Sequence, residues 1–282
     1  MNASAPFRDL RADTLPACLR VRQPDCHKGD FGAVGILGGA PGMAGAAFLA
    51  ARAALLAGAG RVYVGVLDER IAWDPATPEL MVAGPARVLD LPRPACLVAG
   101  PGLGQSGAAR DWLVQALTVP YPLALDADAL NLLAADRALA DMLRQRPHPT
   151  LLTPHPGEAA RLLGQTTDQV QSRRPEALQA LAQSYGASVV LKGHGSLVRS
   201  RDGSLWRNTS GNPGLAAPGM GDVLAGLIAA LTAQGLSLDD AALLGVWLHG
   251  RAADQLVATG TGPVGLTASE VIAAVRGLIN GA

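Results

Sequence analysis

The chain has 282 residues, of which 49% are hydrophobic, and its 23 lysines and arginines balance 23 aspartates and glutamates. This composition gives a globular protein with a sizeable core, and the zero net charge excludes the basic surface that nucleic acids or anionic membranes require. Three cysteines without a C-x-x-C pair, Cys18, Cys26 and Cys96, predict neither a disulfide framework nor a thiolate metal site and favour a reducing compartment.

The N-terminal stretch MNASAPFRDLRADTLP is interrupted by charged residues and lacks the apolar core of a signal peptide. No apolar run long enough to span a membrane follows it. We therefore expect a soluble, cytoplasmic protein that binds neither membrane nor nucleic acid. Residues 1–27 are predicted to form an N-terminal extension, and residues 28–282 a single domain.

Short apolar runs bounded by glycine alternate with longer helical patterns from residue 33 onward. This alternation is typical of an α/β fold in which a doubly wound, mostly parallel central sheet is flanked by helices on both faces. The predicted strands are 33–37, 62–66, 96–99, 123–125, 151–153 and 188–192. The predicted helices between them are 44–58, 108–117, 129–135, 158–163 and 175–185.

The pattern changes after Lys192. The runs SLVRS and SLWRN flank an Arg-Asp-Gly segment at 201–203, whose Asp-Gly pair predicts a β-hairpin. Three helices are predicted to follow, over 222–233, 238–257 and 268–280. No linker, repeat or low-complexity segment divides the chain.

Polar and glycine-rich segments follow five of the predicted strands. In open α/β sheets ligands bind at the carboxyl ends of the strands, so these segments are the first functional candidates. They are GGAPGMAGAA (38–47), GPGLGQSG (100–107), DADALN (126–131), PHPGE (154–158) and GHG (193–195). Each also has a purely structural interpretation: Asp126 or Asp128 as a helix cap, His155 as a turn residue, Glu158 as a helix start.

The segment SGNPGLAAPGMGDVLAG (210–226) places glycines and prolines directly before an apolar helix that begins at Asp222. Backbone N–H groups at such a helix start converge on an anion, usually a phosphate, and a carboxylate beside that anion can act as a base. The alternative is architectural, since an acidic residue in the first turn complements the helix dipole. In either case the dipole is expected to keep Asp222 ionised.

A nicotinamide-dependent oxidoreductase is the first alternative, because residues 102–107 read G-x-G-x-x-G and Asp126 ends the next strand. This fingerprint would follow the third strand instead of the first, and it leaves PHPGE, GHG and the Asp222 segment without a role. The first glycine-rich loop is not a Walker A site, since it lacks the Lys-Ser or Lys-Thr pair that binds phosphates and Mg²⁺.

Long motifs elsewhere resemble one known family. KGDFGAVGILGGAPGMAGAAFLAARAALLAGAGRV, GPGLG, LDADALN, LTPHPGE, VLKG, NTSGNPGLAAPGMGDVLAG and LHG occur in the order found in the ADP- or ATP-dependent NAD(P)H-hydrate dehydratases, from about residue 28 to the end. The resemblance implies a ribokinase-like fold, a symmetric homo-oligomer such as a tetramer, and a repair reaction. In that reaction the S form of hydrated NADH or NADPH is dehydrated while ADP or ATP, with Mg²⁺, is cleaved.

The resemblance also implies roles for individual residues. The N–H groups of Gly219, Met220 and Gly221 would stabilise the transferring phosphoryl group, and Asp222 would accept the hydroxyl proton. The adenine nucleotide would be lined by Lys192, Gly193, His194, Gly195, Ser196 and Gly221. The hydrate would be lined by Ala46 or Ala47, Gly102 and His155, with Asp126, Asn131 and Asp222 nearby. No protein ligand for a metal is implied, and the companion epimerase is expected on a separate chain.

One segment departs from the family pattern. Where the family usually has Gly-Gly-Thr-Gly-Asp, this chain has Pro218, Gly219, Met220, Gly221 and Asp222. Proline removes a backbone donor and methionine removes a hydroxyl that would contact phosphate, so Met220→Thr is expected to raise turnover. Two further alternatives remain from the residues themselves, a ribokinase-like kinase that releases a phosphorylated small molecule, and a binding protein.

Overall fold

The computed structural model describes residues 6–15 and 22–281, and one ten-stranded sheet runs through them. The strands are β1 (Arg8–Leu10), β2 (Ala33–Gly38), β3 (Arg61–Val66), β4 (Met81–Ala83), β5 (Ala95–Ala99), β6 (Leu123–Leu125), β7 (Thr150–Leu152), β8 (Ser188–Leu191), β9 (Leu197–Arg199) and β10 (Leu205–Asn208). Their order across the sheet is β1-β10-β9-β8-β7-β6-β5-β2-β3-β4. All neighbours are parallel except β8–β9 and β9–β10.

Ten α-helices lie within the described residues. They are α1 (Ala44–Leu56), α2 (Gly107–Ala116), α3 (Asp128–Ala135), α4 (Arg137–Gln145), α5 (Pro156–Leu163), α6 (Thr167–Ser172), α7 (Arg174–Tyr185), α8 (Met220–Ala233), α9 (Leu238–Ala258) and α10 (Ala268–Ile279). None of the helices described is both long and apolar enough to cross a bilayer.

Both faces of the sheet are covered, as the alternating pattern predicts. In β2, Val34 and Ile36 pack into the core shared with α1, α8, α9 and α10, whereas Ala33 and Leu37 pack into the core shared with α2 to α7. Alternate side chains of a strand point to opposite faces, so a strand that is apolar throughout must be covered on both. The doubly wound, mostly parallel architecture is confirmed.

Helices α1 and α8 approach each other closely at the centre of one face. A side chain at Gly226 of α8 would place its Cβ 2.0 Å from the Ala50 carbonyl oxygen of α1, so only glycine fits there. At the start of α8, Gly219 has φ 85° and a Cβ there would lie 2.5 Å from Leu49. Two glycines therefore fix the position of the α8 N-terminus against α1.

Four elements of the fold were not predicted from the sequence. Strands β1 and β4 are three residues each and carry no apolar alternation, and α4 and α6 lie where we predicted no element. Strand β1 comes from the predicted N-terminal extension and pairs in parallel with β10, so part of that extension belongs to the sheet. The hairpin is confirmed as β9–β10. Cys18 lies outside the described residues.

Candidate active site

The carboxyl ends of β6, β7 and β8 bring the predicted polar residues together. These strands are parallel neighbours, so the residues that follow them meet at one edge of the sheet. Asp126 follows β6 and Lys192 follows β8, and Lys192 Nζ lies 2.7 Å from Asp126 Oδ1. Only 2% of the Asp126 side chain and 19% of the Lys192 side chain are exposed. A buried ion pair therefore forms the floor of the site.

The turn from β6 into α3 directs two carboxylates to different partners. Ala127, between them, is the only non-glycine residue in 6–15 and 22–281 with a positive φ, at 49°. Such strain costs about 1–3 kcal/mol and concentrates at functional sites. Asp126 pairs with Lys192, while Asp128 accepts a 2.8 Å hydrogen bond from the Gly104 N–H. Asp128 therefore holds the glycine-rich loop after β5.

The segment after β7 forms a capping box at the start of α5. The Glu158 carboxylate accepts the His155 N–H at 2.8 Å, and His155 Nδ1 accepts the Gly157 N–H at 3.0 Å. Glu158 is buried, and burial, with Asp126 adding to it, raises its pKa to about 7 although Lys192 acts in the opposite direction. The helix-start interpretation of Glu158 is confirmed, and the same carboxyl faces the Asp126–Lys192 pair.

The start of α8 completes the site from the other side. A Cβ on Gly221 would lie 2.9 Å from Lys192 Nζ and 3.4 Å from Asp126 Oδ2, so the first turn of α8 passes directly over the ion pair. No described group accepts a hydrogen bond from the N–H of Met220, Gly221 or Asp222. These donors lie at the positive end of the helix dipole, an arrangement that favours an anion.

Asp222 is the third residue of α8 and is only partly exposed. Burial, together with repulsion from the Asp126 and Glu158 carboxylates, raises its pKa to about 7, although the Lys192 charge acts in the opposite direction. The expectation that the dipole keeps Asp222 ionised is wrong, because burial and two nearby carboxylates outweigh it. A carboxyl with this pKa exchanges its proton near neutral pH, which suits a general base.

Lys192 stays charged among these carboxyl groups. Burial disfavours its ammonium group, but the charges of Asp126, Glu158 and Asp222 outweigh burial and raise its pKa. The loop after it turns sharply, with φ 138° at Gly193 and 60° at Gly195, and the Ser196 hydroxyl donates to the Gly193 carbonyl. The predicted nucleotide residues 192–196 thus form one continuous loop beside the α8 N-terminus.

The residues predicted to line the hydrate are placed unequally. Ala46 is partly exposed, but Ala47 is fully buried against Gly38 and Gly39 and has no surface to offer a ligand. Gly102 is buried, with its Cα facing the Met43 carbonyl. His155, by contrast, is half exposed at the rim.

The Asn131 carboxamide is held within the protein. Its Nδ2 donates to Asp128 at 3.3 Å, and its Oδ1 accepts from Arg161 at 2.9 Å. This network ties α3 to α5 near the site, and both ends of the Asn131 carboxamide are occupied by protein partners.

The Met220 side chain does not lie where we expected from the departure from the family pattern. Its side chain is 4% exposed and packs in the core shared by α1, α8, α9 and α10. The premise that a side chain at 220 faces a phosphate is wrong. The methionine side chain therefore takes no donor away from the start of α8, where the donors without acceptors are backbone N–H groups.

Three residues near the site were given no role of their own from the sequence. Asp128 and Glu158 lie in candidate segments that follow strands, and each also had a structural interpretation, as a helix cap and a helix start. His249, in the LHG motif, is buried, and its Nε2 has no hydrogen-bond partner among the described atoms. Burial and the nearby Lys192 charge lower its pKa to about 4, so it is neutral. Only its position in the LHG motif marked it out.

Comparison with known proteins agrees with this geometry. The family model described as NAD(P)H-hydrate dehydratase matches residues 34–275. The ADP-dependent (S)-NAD(P)H-hydrate dehydratase of Neisseria meningitidis is 42% identical over 270 residues, which cover 94% of this chain and 91% of that protein. Relatives named bifunctional NAD(P)H-hydrate repair enzymes also match, and this chain spans about half of their length.

Solved structures show the same fold. The ADP/ATP-dependent NAD(P)H-hydrate dehydratase of Bacillus subtilis, co-crystallised with ATP and Mg²⁺, superposes with a TM-score of 0.82 at 28% identity, over 95% of this chain and 96% of that one. A ribokinase-like superfamily protein of Enterococcus faecalis superposes with a TM-score of 0.84 at 27% identity, over 97% of this chain and 95% of that one. The fold is ribokinase-like, and the chain belongs to the NAD(P)H-hydrate dehydratase family.

Proposed function

We propose that this enzyme dehydrates the S form of hydrated NADH or NADPH and cleaves ADP or ATP to do so. The observation that carries the proposal is the convergence of a buried carboxyl, Asp222, with a backbone anion site at one helix start. Relatives and solved structures named for this activity support it over nearly the whole chain. An oxidoreductase is left without support, since the Gly104 N–H of its fingerprint is taken by Asp128.

The reaction needs a better leaving group than hydroxide. Transfer of the terminal phosphoryl group from the nucleotide to the hydrate hydroxyl gives a phosphate ester and leaves AMP or ADP. The electron pair of the ring nitrogen then expels phosphate and leaves a ring iminium. Loss of a proton from the neighbouring ring carbon to water or to the released phosphate forms the ring double bond and restores the reduced nicotinamide. Charge that builds on the phosphoryl oxygens during transfer is stabilised by the free N–H groups of Met220, Gly221 and Asp222.

Asp222 accepts the hydroxyl proton during transfer. A pKa of about 7 gives a base that is partly ionised at neutral pH and takes up a proton readily. Lys192 sits under the first turn of α8, where its charge lowers the pKa of Asp222 and attracts the nucleotide phosphates. Asp126 keeps the Lys192 ammonium group in that position through the 2.7 Å ion pair.

Magnesium fits this site as a companion of the nucleotide. Mg²⁺ is usually held by one or two carboxylates together with phosphates and water, and not by an all-protein cage. Among the described residues no three acidic, histidine or cysteine side chains form such a cage. The carboxylates available to the ion are those around Lys192, namely Asp126, Glu158 and Asp222. The ion supplies charge neutralisation of the phosphates when bound.

Several finer points are part of the proposal. We propose a cytoplasmic homo-oligomer whose catalytic unit is one domain over residues 28–282, with a tetramer as the form to test first. We also propose that an epimerase supplies the S form of the hydrate. The match to bifunctional repair enzymes supports this functional link.

The decisive experiment incubates the pure protein with NADH hydrate and ADP, and separately ATP, each with Mg²⁺. Return of the absorbance band of reduced nicotinamide, in proportion to phosphate released, supports the proposal. If neither nucleotide restores the band, the chain is not a dehydratase. A phosphorylated small molecule that accumulates stoichiometrically would instead identify a ribokinase-like kinase, and hydrate-dependent nucleotide cleavage excludes a binding protein.

A further inference from the structure

We propose that Arg174 is a positioning residue that shapes the nucleotide loop, residues 192–196, so that its free N–H groups face the phosphate-bearing ligand. The inference rests on the proposed nucleotide role of that loop. Arg174 is the first residue of α7 and lies outside every motif discussed above. Its side chain reaches the loop from the side of α7.

The guanidinium group binds backbone carbonyls of the loop and of the strand end before it. Nη2 donates to Leu191 O at 3.2 Å and to Lys192 O at 3.4 Å, and Nη1 donates to His194 O. Arg174 Nη2 also lies 3.1 Å from the position that a Cβ on Gly193 would take. One side chain therefore binds three carbonyls at and before the turn, those of Leu191, Lys192 and His194.

These contacts fix where the N–H groups of the loop point. In a trans peptide the carbonyl and the following N–H point in opposite directions. When Arg174 holds the carbonyls of Lys192 and His194, the N–H groups of Gly193 and Gly195 are turned away from it. Neither N–H has an acceptor in the part of the chain that the structure describes. Backbone N–H groups that a turn leaves free and close together can form a concave anion site.

Helix α7 does not stabilise the positive charge of Arg174. A cation in the first turn of a helix is repelled by the dipole, so its position in α7 is unfavourable locally. Within residues 6–15 and 22–281 no carboxylate pairs with it. Burial disfavours the charged guanidinium and lowers the pKa of Arg174. Its Nε is buried without an acceptor. Its partners among the described residues are thus the carbonyls of the loop and of the strand end before it, and its unpaired charge adds to the attraction for phosphate.

The test measures ADP affinity directly, by calorimetry without the hydrate, and then KM and kcat for ADP with the hydrate. Arg174→Ala is expected to raise the ADP dissociation constant and KM by about tenfold or more, because hydrogen bonds from a charged donor are lost. We expect kcat at saturating ADP to change by less than about threefold, since Asp222 and α8 are intact. Millimolar guanidinium should partly restore the affinity of this variant.

Arg144→Ala is the matched control. Arg144 also donates to a backbone carbonyl of α7, Ser184 O at 3.0 Å, but at the opposite end of that helix. The control should lose similar thermal stability and keep the wild-type ADP affinity. Arg174→Lys, which keeps the charge but not the planar set of donors, should bind ADP with intermediate affinity and serves if Arg174→Ala does not fold.

An Arg174→Ala or Arg174→Lys variant that binds ADP as tightly as the wild type would overturn the inference, whatever its thermal midpoint. The same holds if the wild type binds neither ADP nor ATP. A different result would contradict the proposed function. In that result ADP binds the wild type and binds Arg174→Ala more weakly, but no reduced nicotinamide forms from the hydrate. In that case the positioning role stands for whatever reaction uses the nucleotide.

Discussion

Replacing Asp222 by asparagine separates a catalytic carboxyl from an architectural one. The substitution keeps the size of the side chain and removes both the base and the negative charge. If Asp222 accepts the hydroxyl proton, turnover falls by about 10² or more while ADP binding stays near that of the wild type. If it only complements the helix dipole, turnover is unchanged and stability falls by about 0.3–1 kcal/mol.

Stability gives a second readout with opposite signs for the two interpretations. In the folded protein the pKa of Asp222 is about 7, against 3.8 for an ordinary aspartate. A raised carboxyl pKa disfavours folding: the cost is absent below pH 3.8, grows as the pH rises to about 7, and is constant above that. The difference corresponds to roughly 4 kcal/mol as an upper value. Above pH 7 the asparagine variant should therefore be more stable than the wild type.

The assay pairs hydrate turnover with the thermal midpoint of the same preparation, measured at pH 5 and pH 8. A gain in stability of about 1 kcal/mol from removing this charge raises the thermal midpoint by about 2–4 °C in a chain of this size. Asp240→Asn is the matched control, because Asp240 is also the third residue of its helix, α9, and accepts a 2.7 Å hydrogen bond from Ser237. The control should lose a little stability and no activity.

Two outcomes would refute the reasoning. One is an Asp222→Asn variant with normal turnover, which would return this residue to a helix-capping role. The other is a loss of stability at pH 8 similar to that of Asp240→Asn, which would show that the Asp222 carboxyl is not held in a charge-disfavouring environment.

Three further predictions use the same site. The value of kcat/KM should rise as the pH increases through about 7, because Asp222 is protonated and inactive as a base below that pH; a profile flat from pH 5 to 8 would contradict this. Glu158→Gln keeps an oxygen to accept the His155 N–H but removes a charge that raises the pKa of Asp222, so the acidic limb of the profile should move to lower pH. Met220→Thr should lower the stability by about 2 kcal/mol or more without raising turnover, because it places a hydroxyl in the core. Thermal unfolding and hydrate turnover are the measurements. Faster turnover would mean that the side chain at 220 does reach the phosphate.

The sequence predicted the sheet well where apolar runs are bounded by glycine. Each of the six predicted strands is present, and the Asp-Gly pair at 202–203 marks the hairpin. Strands β1 and β4 were missed because three residues at a sheet edge need no apolar alternation, and their pairing partners supply the reason for their conformation. The local pattern of apolar residues predicts elements that bury an apolar face of their own. It does not predict short strands whose conformation depends on pairing with a neighbouring strand.

The candidate site was predictable in its members but not in its electrostatics. Asp126, His155, Lys192 and Asp222 follow strands or open a helix, so topology alone places them at one edge. The pKa of Asp222 depends on how deeply its carboxyl is buried and on two other carboxyl groups, and no local pattern contains that information. The same holds for Arg174, whose role depends on carbonyls about 20 residues further along the chain.

The balance of charge at this edge explains why so many elements must meet there. Asp126, Glu158 and Asp222 surround one ammonium group, Lys192, and its charge is committed to Asp126 at 2.7 Å. Burial raises the pKa values of the other two carboxyls to about 7 in the free protein, and the Lys192 charge offsets this only in part. A divalent cation that arrives with the nucleotide would favour their ionised forms, so we expect the ionised fraction of the base at neutral pH to rise when the phosphoryl donor binds. A single strand end with one aspartate would lack this coupling, because its carboxylate would be ionised at all times.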